Sequence, residues 1–396
     1  MRRLLFLFVF FLGVTFYVAA EEVAINFSDP MFAQLDVEGK DLLAEYAKNY
    51  PKIKSFYENM RMDVDVRKTI YPSEKSLESL VLILQSEGLG EDEINVMLKR
   101  SSQTDMRYEV RHRQPDGYGR VDMIINQFMT DYVRSKLPSG SSLHNFSDGD
   151  VVQNFVITLL TPTTGYQLSK NDSSKQHFSL NARRSLTNSA VDDIGLPIVY
   201  FDTAPYSSNG MPLEEIVFQS PPLIKEKPYI VNYVRQKELD GRKIVEIKTS
   251  RADLTDSFRR ITLDRKSWGV LEVYARSGLT LSSGEREINW THEMCTYVEN
   301  ADDVPVLKTY QRSFGKYDKD FQNDRIIERI ECKITQVIPG PPDLSEFDVA
   351  QFLQPGINIG EITRAQLTPG RIAAIAFGII LIILGIYLKV RSMRKQ

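Results

Sequence analysis

The fold of this chain is decided by the stretch YIVNYVRQKELDGRKIVEIKTS, residues 229–250. Two extended runs flank Asp240-Gly241, a dipeptide that is typical of a tight hairpin turn. Further extended runs follow at short intervals, and short connections favour an antiparallel meander. The predicted strands of this meander are 229–236, 243–250, 258–263, 270–276, 287–298, 304–314 and 325–336.

Apolar and charged residues alternate along these runs, which gives each predicted strand one apolar side. Val245 and Ile247, for example, alternate with Glu246 and Lys248. We therefore predict a sheet with one face in water and one apolar face that other elements cover. The candidate ligand-binding residues on the apolar face are Val245, Ile247, Trp290, Met294, Ile326 and Ile330. For each of them, a place in a filled core is the alternative.

Helices and further strands precede the meander. A helix broken at Pro51 is predicted over 40–60, and a helical hairpin over 73–100. These two elements are expected to cover the apolar face. The stretch 181–228 fits either a linker or a long crossing loop. Strands are also predicted at 62–66, 106–113, 120–126, 154–160, 166–170 and 177–180.

The two ends predict export and a membrane anchor. Residues 1–20 join a basic start to an apolar run and small residues, as in a secretory signal; an uncleaved anchor is the alternative. Residues 371–389 contain an uncharged run long enough to span a bilayer, with basic residues concentrated after it. The predicted organisation in the cell membrane is a signal peptide (1–20), an extracytoplasmic, periplasmic domain (21–337), a Pro-rich juxtamembrane linker (338–370), one transmembrane helix (371–389) and a short basic cytoplasmic tail (390–396).

Composition and motifs exclude some function classes and support none strongly. The chain has 396 residues, a net charge of -3 and a pI near 6.0, which gives no overall basic surface for nucleic acid. The four histidines have no metal-ligand spacing, and neither a nucleophile elbow nor a phosphate-binding loop is present. We therefore expect no catalytic residue, no metal site and no cofactor.

The two cysteines, Cys295 and Cys332, fall on predicted strands that are separated by one other strand. Strands two apart are roughly 9.5 Å from each other, twice the interstrand spacing. A disulfide requires Cα atoms within about 7 Å. We therefore predict two free and largely buried thiols.

Two segments carry a family resemblance, LDGRKIVEIK at 239–248 and ITLDRKSWGVLEVY at 261–274. Each segment has the pattern of a strand, a turn and a second strand. In this pattern the chain resembles the outer-membrane lipoprotein carrier (LolA/LolB-like) superfamily, over about residues 40–337. The resemblance implies an α+β fold, a curved antiparallel half-barrel covered by N-terminal helices, with acyl chains on its apolar concave face. The predicted transmembrane helix departs from that family, because a diffusible carrier must leave the membrane.

The leading hypothesis is a membrane-tethered extracytoplasmic protein that binds a lipid, a lipoprotein or another amphiphile on the apolar face. The alternative is an envelope sensory or structural interaction module with a filled core and a protein partner. An exported enzyme is the third hypothesis, and no motif in the sequence favours it.

Overall fold

The computed structural model describes most of the chain between residues 25 and 355. The predicted signal peptide (1–20) and transmembrane helix (371–389) lie outside the described residues. Within the described part, no helix has the length and apolar character that a bilayer span requires. The described ranges are 25–72, 74–86, 88–128, 151–170, 177–185, 200–208, 210–218, 229–251, 254, 256–280, 286–298, 304–317 and 324–355.

Thirteen antiparallel strands form one large curved sheet. The strands in chain order are β1 (Asn59–Ile70), β2 (Gln103–Arg113), β3 (Tyr118–Phe128), β4 (Val151–Leu160), β5 (Thr164–Lys170), β6 (Ser179–Ser185), the short pair β7 (Ser207–Ser208) and β8 (Met211–Pro212), β9 (Tyr229–Leu239), β10 (Arg242–Arg251), β11 (Phe258–Asp264), β12 (Val270–Thr280), β13 (Arg286–Val298), β14 (Val306–Tyr317) and β15 (Asp324–Pro339). Across the large sheet the order is β6-β5-β4-β3-β2-β1-β15-β14-β13-β12-β11-β10-β9.

This order consists of two sequential meanders. The predicted meander, β9 to β15, is confirmed, and β1 to β6 form the second one. Pairing of β1 with β15 joins them, with Met60 opposite Pro339 at one end. At the turn between β9 and β10, Asp240 and Gly241 both have positive φ values, 50° and 76°. This is the backbone conformation for which an Asp-Gly hairpin turn is suited.

One long helix, α1 (Val37–Glu58), begins after Asp36, whose carboxylate accepts a 2.7 Å hydrogen bond from the Gly39 amide. The predicted break at Pro51 is wrong, because the helix continues through this residue. Tyr50 and Ile53, on either side of the proline, are both buried, and this packing keeps the two halves in line. Other described helices are α2 (Glu74–Ser86), α3 (Glu91–Ser102) and α4 (Tyr200–Thr203), with 3-10 helices at Pro30–Phe32, Gln114–Asp116, Ala204–Tyr206, Leu344–Phe347 and Val349–Gln351 and a π-helical turn at Glu214–Phe218.

The side of the sheet that α1 covers is called the inner face, and the opposite side the outer face. The inner face carries a large apolar cluster, the inner cluster, to which α1 contributes Leu43, Tyr46 and Tyr50. Sheet residues of this cluster include Met62, Val64, Val110, Val121, Val245, Ile247, Ile261, Val273 and Tyr310.

Residues 200–218 also lie over the inner face, in the stretch for which the sequence left two readings open. Phe201 and Tyr206 are buried members of the inner cluster. Asp202 joins this segment to β2, since its Oδ2 lies 2.6 Å from Nε2 of the buried His112. The segment is therefore part of the core rather than a linker.

The helical hairpin predicted over 73–100 forms, as α2 and α3. None of the described side chains of α2 and α3 belongs to the inner cluster, and their role as a cover of the apolar face stays a prediction. Apolar side chains of the segment 200–218 do cover this face, as members of the inner cluster.

A second, smaller cluster, the outer cluster, lies on the outer face of the sheet at β4 and β5. Leu159 and Leu168 are fully buried there against Phe347 and Leu353. The sequence predicts a linker over 338–370, but residues 344–353 pack onto the sheet. Part of the predicted linker is thus part of the folded domain.

The two cysteines lie on β13 and β15, on either side of Tyr310 in β14. The predicted separation of their strands is therefore confirmed. Cys295 and Cys332 are free and buried. Burial raises the pKa of both thiols, because it disfavours the charged thiolate.

Candidate functional site

A cavity of about 200 Å³ lies on the inner face, where the inner cluster ends. Its base is a row of residues that stand opposite one another on five neighbouring strands: Thr249, Arg259, Ala275, Thr291 and Phe314. Opposed residues share a face of a sheet, so the whole row belongs to the inner face. The lining consists of Tyr229, Thr249, Ser250, Arg251, Ser257, Phe258, Arg259, Ala275, Arg276, Ser277, Asn289, Thr291 and Phe314.

Small side chains create this space. The preceding inner-face row contains Ile247, Ile261 and Val273, which are almost completely buried and fill the inner cluster. In the cavity row, β10 and β12 carry Thr249 and Ala275 at the corresponding positions. The shorter side chains leave a hollow that the aromatic residues in the lining enclose in part.

Buried polar atoms without partners line the cavity. Thr249 is 0% exposed and Ser257 7% exposed, yet neither hydroxyl has a hydrogen-bond partner within the described part of the chain. The same holds for the side-chain oxygen of Asn289. Buried polar groups are nearly always hydrogen-bonded in proteins, so these three atoms offer hydrogen-bonding positions to water or to a polar ligand group in the cavity.

The charge of the lining is positive. It contains no acidic residue, and its inner-face arginines are Arg251 and Arg259. Arg276 also borders the cavity, but its side chain lies on the outer face, with its guanidinium 5.1 Å from the centre of the Tyr317 ring. Arg259 donates from Nη1 to the Met211 sulfur at 3.7 Å, and its guanidinium lies 5.2 Å from the centre of the Tyr229 ring. Neither contact neutralises its charge, and no carboxylate in the described part of the chain pairs with it.

The structure divides the six predicted ligand-binding residues between two faces. Val245 and Ile247 are on the inner face and 0% exposed, within the filled inner cluster, and the partly buried Ile330 packs against it. Trp290, Met294 and Ile326 are on the outer face, Met294 being 38% exposed. The prediction of one shared apolar face for these residues is wrong.

Pairing of the strands explains this division. Val273 of the inner cluster stands opposite Glu293, so Trp290 and Met294, which alternate with Glu293, point to the other side. In β15 an extra residue, Ile327, forms a bulge between the partners of Phe314 and Gly315. Alternation therefore changes phase at this point, and Ile326 lies on the side opposite to Ile330.

Sequence reasoning missed the cavity residues, although one signal was present. Thr249 follows Val245 and Ile247 on the same side of a correctly predicted strand, and a small polar residue there breaks the apolar pattern. Its opposition to Arg259 follows from the register between β10 and β11. That register depends on how β10 and β11 are aligned, and a single sequence does not determine this alignment.

A second hollow, of about 720 Å³, lies along β1, β2, β14 and β15. Both of its arginines are paired: Arg67 Nε lies 2.9 Å from Asp105 Oδ1, and Arg107 Nη2 lies 3.7 Å from Oδ2 of Asp63, a residue outside the lining. Cations and acids that already pair attract a charged ligand only weakly. The inner-face cavity is therefore the better candidate site.

Comparison with known proteins gives a structural likeness only. No family model matches the chain, and no curated protein matches it. One similar solved structure is a domain assigned by name to outer membrane lipoprotein-sorting proteins, from Vibrio parahaemolyticus. It is 9% identical, covers 83% of this chain and 99% of its own, and has a TM-score of 0.32. Another is a LolA superfamily protein from Nitrosomonas europaea, which is 10% identical, covers 81% and 99%, and has a TM-score of 0.31.

Proposed function

We propose that this chain is a membrane-tethered, extracytoplasmic binding protein that holds a lipid, a lipoprotein or another amphiphile. The inner-face cavity takes one end of that ligand. The proposal departs from the sequence hypothesis in its site, because most of the apolar inner face is already filled by α1 and residues 200–218.

The observation that carries the proposal is the combination of ring and hydroxyl groups in one cavity. The rings of Tyr229 and Phe314 provide apolar surface, and burial of each methylene group against such surface contributes about 0.8 kcal/mol. The buried hydroxyls of Thr249 and Ser257 provide hydrogen-bonding groups that lack partners within the described residues. A ligand with an apolar and a polar part satisfies both.

Cavity size limits how much of the ligand enters. Pockets that enclose a whole small molecule usually measure about 300–1,000 Å³. The cavity of about 200 Å³ is smaller than this. It therefore holds one end of an amphiphile, while the remainder lies outside it.

The tether and the compartment are proposed from the ends of the sequence. Residues 1–20 support export, and residues 371–389 support a single membrane helix followed by a cytoplasmic tail. On this proposal the domain is periplasmic and stays at the membrane, as a tethered acceptor, donor or sensor.

Native mass spectrometry of the full chain, released from phosphatidylcholine nanodiscs, tests the proposal. We expect a co-purified or added amphiphile to stay bound to the wild type. Ala275→Leu fills the cavity and is expected to abolish this binding, whereas Ala350→Leu, at an exposed position far along the chain, is the matched control. Equal binding to both variants, or no bound amphiphile in any sample, would remove the proposal.

A second function, an envelope interaction module, is favoured by a different observation. Val245 and Ile247 are completely buried, so this part of the inner face has no room for a ligand. On this hypothesis the domain works through its surface and a protein partner. Crosslinking in intact cells tests it: recovery of a specific envelope protein supports it, and recovery of none counts against it.

A further inference from the structure

We infer that the inner-face cavity recognises an oxyanion, a carboxylate or phosphate group, at the end of its amphiphile. This inference rests on the proposed binding function and assigns the chemistry of the end that enters. It follows from the charge of the lining, the state of Arg259 and the two buried hydroxyls.

The charge of the lining is the first step. Arg251 and Arg259 line the cavity from the inner face, and no acidic residue lines it. A positively charged, partly enclosed site attracts anions and repels cations. The lining therefore selects against a cationic head group.

Arg259 is the second step. Its described partners are a thioether and an aromatic ring, neither of which carries a negative charge. A guanidinium has five N–H donors arranged in a planar fork, and this arrangement matches the oxygens of a carboxylate or a phosphate. The contacts with Met211 and Tyr229 hold the side chain in place and leave donors available for a ligand.

The hydroxyls are the third step. Thr249 Oγ1 and Ser257 Oγ are buried, and each carries a donor that pairs with nothing in the described chain. Thr249 stands directly opposite Arg259, so its hydroxyl and the guanidinium flank the same space. An oxyanion between them accepts from both. The acceptor oxygen of Asn289 suits a protonated phosphate oxygen or a ligand hydroxyl.

The test is calorimetric titration of the full chain in phosphatidylcholine nanodiscs, with empty nanodiscs as the blank. The probes are hexyl phosphate, hexanol, hexylammonium and inorganic phosphate. We expect hexyl phosphate to bind at least about tenfold more tightly than hexanol, since hydrogen bonds to charged groups are the stronger ones. Hexylammonium and inorganic phosphate are expected to bind more weakly than hexyl phosphate.

Matched variants locate the effect. Arg259→Gln is expected to weaken hexyl phosphate about tenfold and to leave hexanol unchanged. Arg260→Gln removes the same charge from the neighbouring, exposed residue on the outer face, and is expected to change neither. Thr249→Val is expected to weaken hexyl phosphate while raising the unfolding midpoint of the ligand-free protein, because it removes an unpartnered buried hydroxyl. A purely structural role of Thr249 would lower that midpoint.

The outcomes separate this inference from the function beneath it. Equal affinity for hexyl phosphate and hexanol, both lost in Ala275→Leu, would overturn the oxyanion inference and leave amphiphile binding standing. If inorganic phosphate bound as tightly as hexyl phosphate, the cavity would be a site for free anions. That result would support oxyanion recognition and overturn amphiphile binding. Absence of binding by any probe would overturn both.

Discussion

The inner and outer clusters use the same sheet in opposite ways. In the inner cluster, the strands from β1 to β3 and from β9 to β15 bury one side beneath α1 and residues 200–218. In the outer cluster, β4 and β5 bury the other side beneath residues 344–353. Strand β3 contributes to both, with Val121 on the inner face and Tyr118 toward the outer cluster. The sheet therefore has no single apolar face.

The two covers differ in strength. The inner cover includes the 22-residue helix α1, whose tyrosines contact the sheet side of the core. The Tyr46 ring stacks on Trp268 with centroids 5.7 Å apart, and the Tyr57 hydroxyl donates a hydrogen bond to the Pro305 carbonyl, just before β14. The outer cover is a short segment with two 3-10 turns, held at its surface by Glu346. We expect loss of the inner cover to unfold the domain, and loss of the outer cover to remain local.

Leu43→Ala is predicted to have the largest effect. Leu43 is completely buried in α1, and removal of a buried leucine side chain from a core costs about 2–5 kcal/mol of unfolding free energy. Urea titration of the full chain in an uncharged detergent, followed by tryptophan fluorescence, measures this change. A loss below about 1 kcal/mol would show that α1 is not an essential cover.

Tyr57→Phe is predicted to have an intermediate effect. The Tyr57 hydroxyl donates to the Pro305 carbonyl at 2.6 Å and accepts from the Leu307 amide at 2.8 Å. The substitution leaves both backbone groups buried without this partner, which costs about 1–3 kcal/mol. The same urea titration measures it. A midpoint equal to that of the wild type would mean that water replaces the hydroxyl and that α1 is held by packing alone.

Leu353→Ala is predicted to have the smallest effect on global stability, about 1 kcal/mol or less, because the outer cover can detach while the inner cluster remains. Deuterium exchange should instead accelerate in residues 344–353 and leave α1 unchanged. This variant makes the same chemical change as Leu43→Ala, so the pair compares the covers directly. Equal losses of unfolding free energy in the two variants would show one cooperative core.

Local features of the fold could be predicted from the sequence, whereas long-range ones could not. The Asp240-Gly241 turn and the strand order around Cys295 and Cys332 follow from neighbouring residues, and both agree with the structure. The pairing of β1 with β15 joins residues that are far apart in the chain, and no local pattern indicates it.

The candidate site was predictable only in part, because a face assignment needs register as well as alternation. The sequence pattern places Val245 and Ile247 on an apolar side, and the structure agrees. Trp290 lies on the opposite face, because the residues next to it along β13 are the ones that point inward. Gly315 gives the reason for its position: the missing side chain there leaves room for the Trp290 ring on the outer face. Such a complementary pair becomes visible only when the strands are aligned.

Deuterium exchange of the full chain in phosphatidylcholine nanodiscs, with and without hexyl phosphate, tests the central claim most directly. That claim is that the inner face is filled except for one cavity, which binds the anionic end of an amphiphile. We predict slower exchange on ligand addition within residues 249–259 and 275–291, and no change within residues 344–353. Unchanged exchange throughout, or slower exchange confined to 344–353, would contradict the claim.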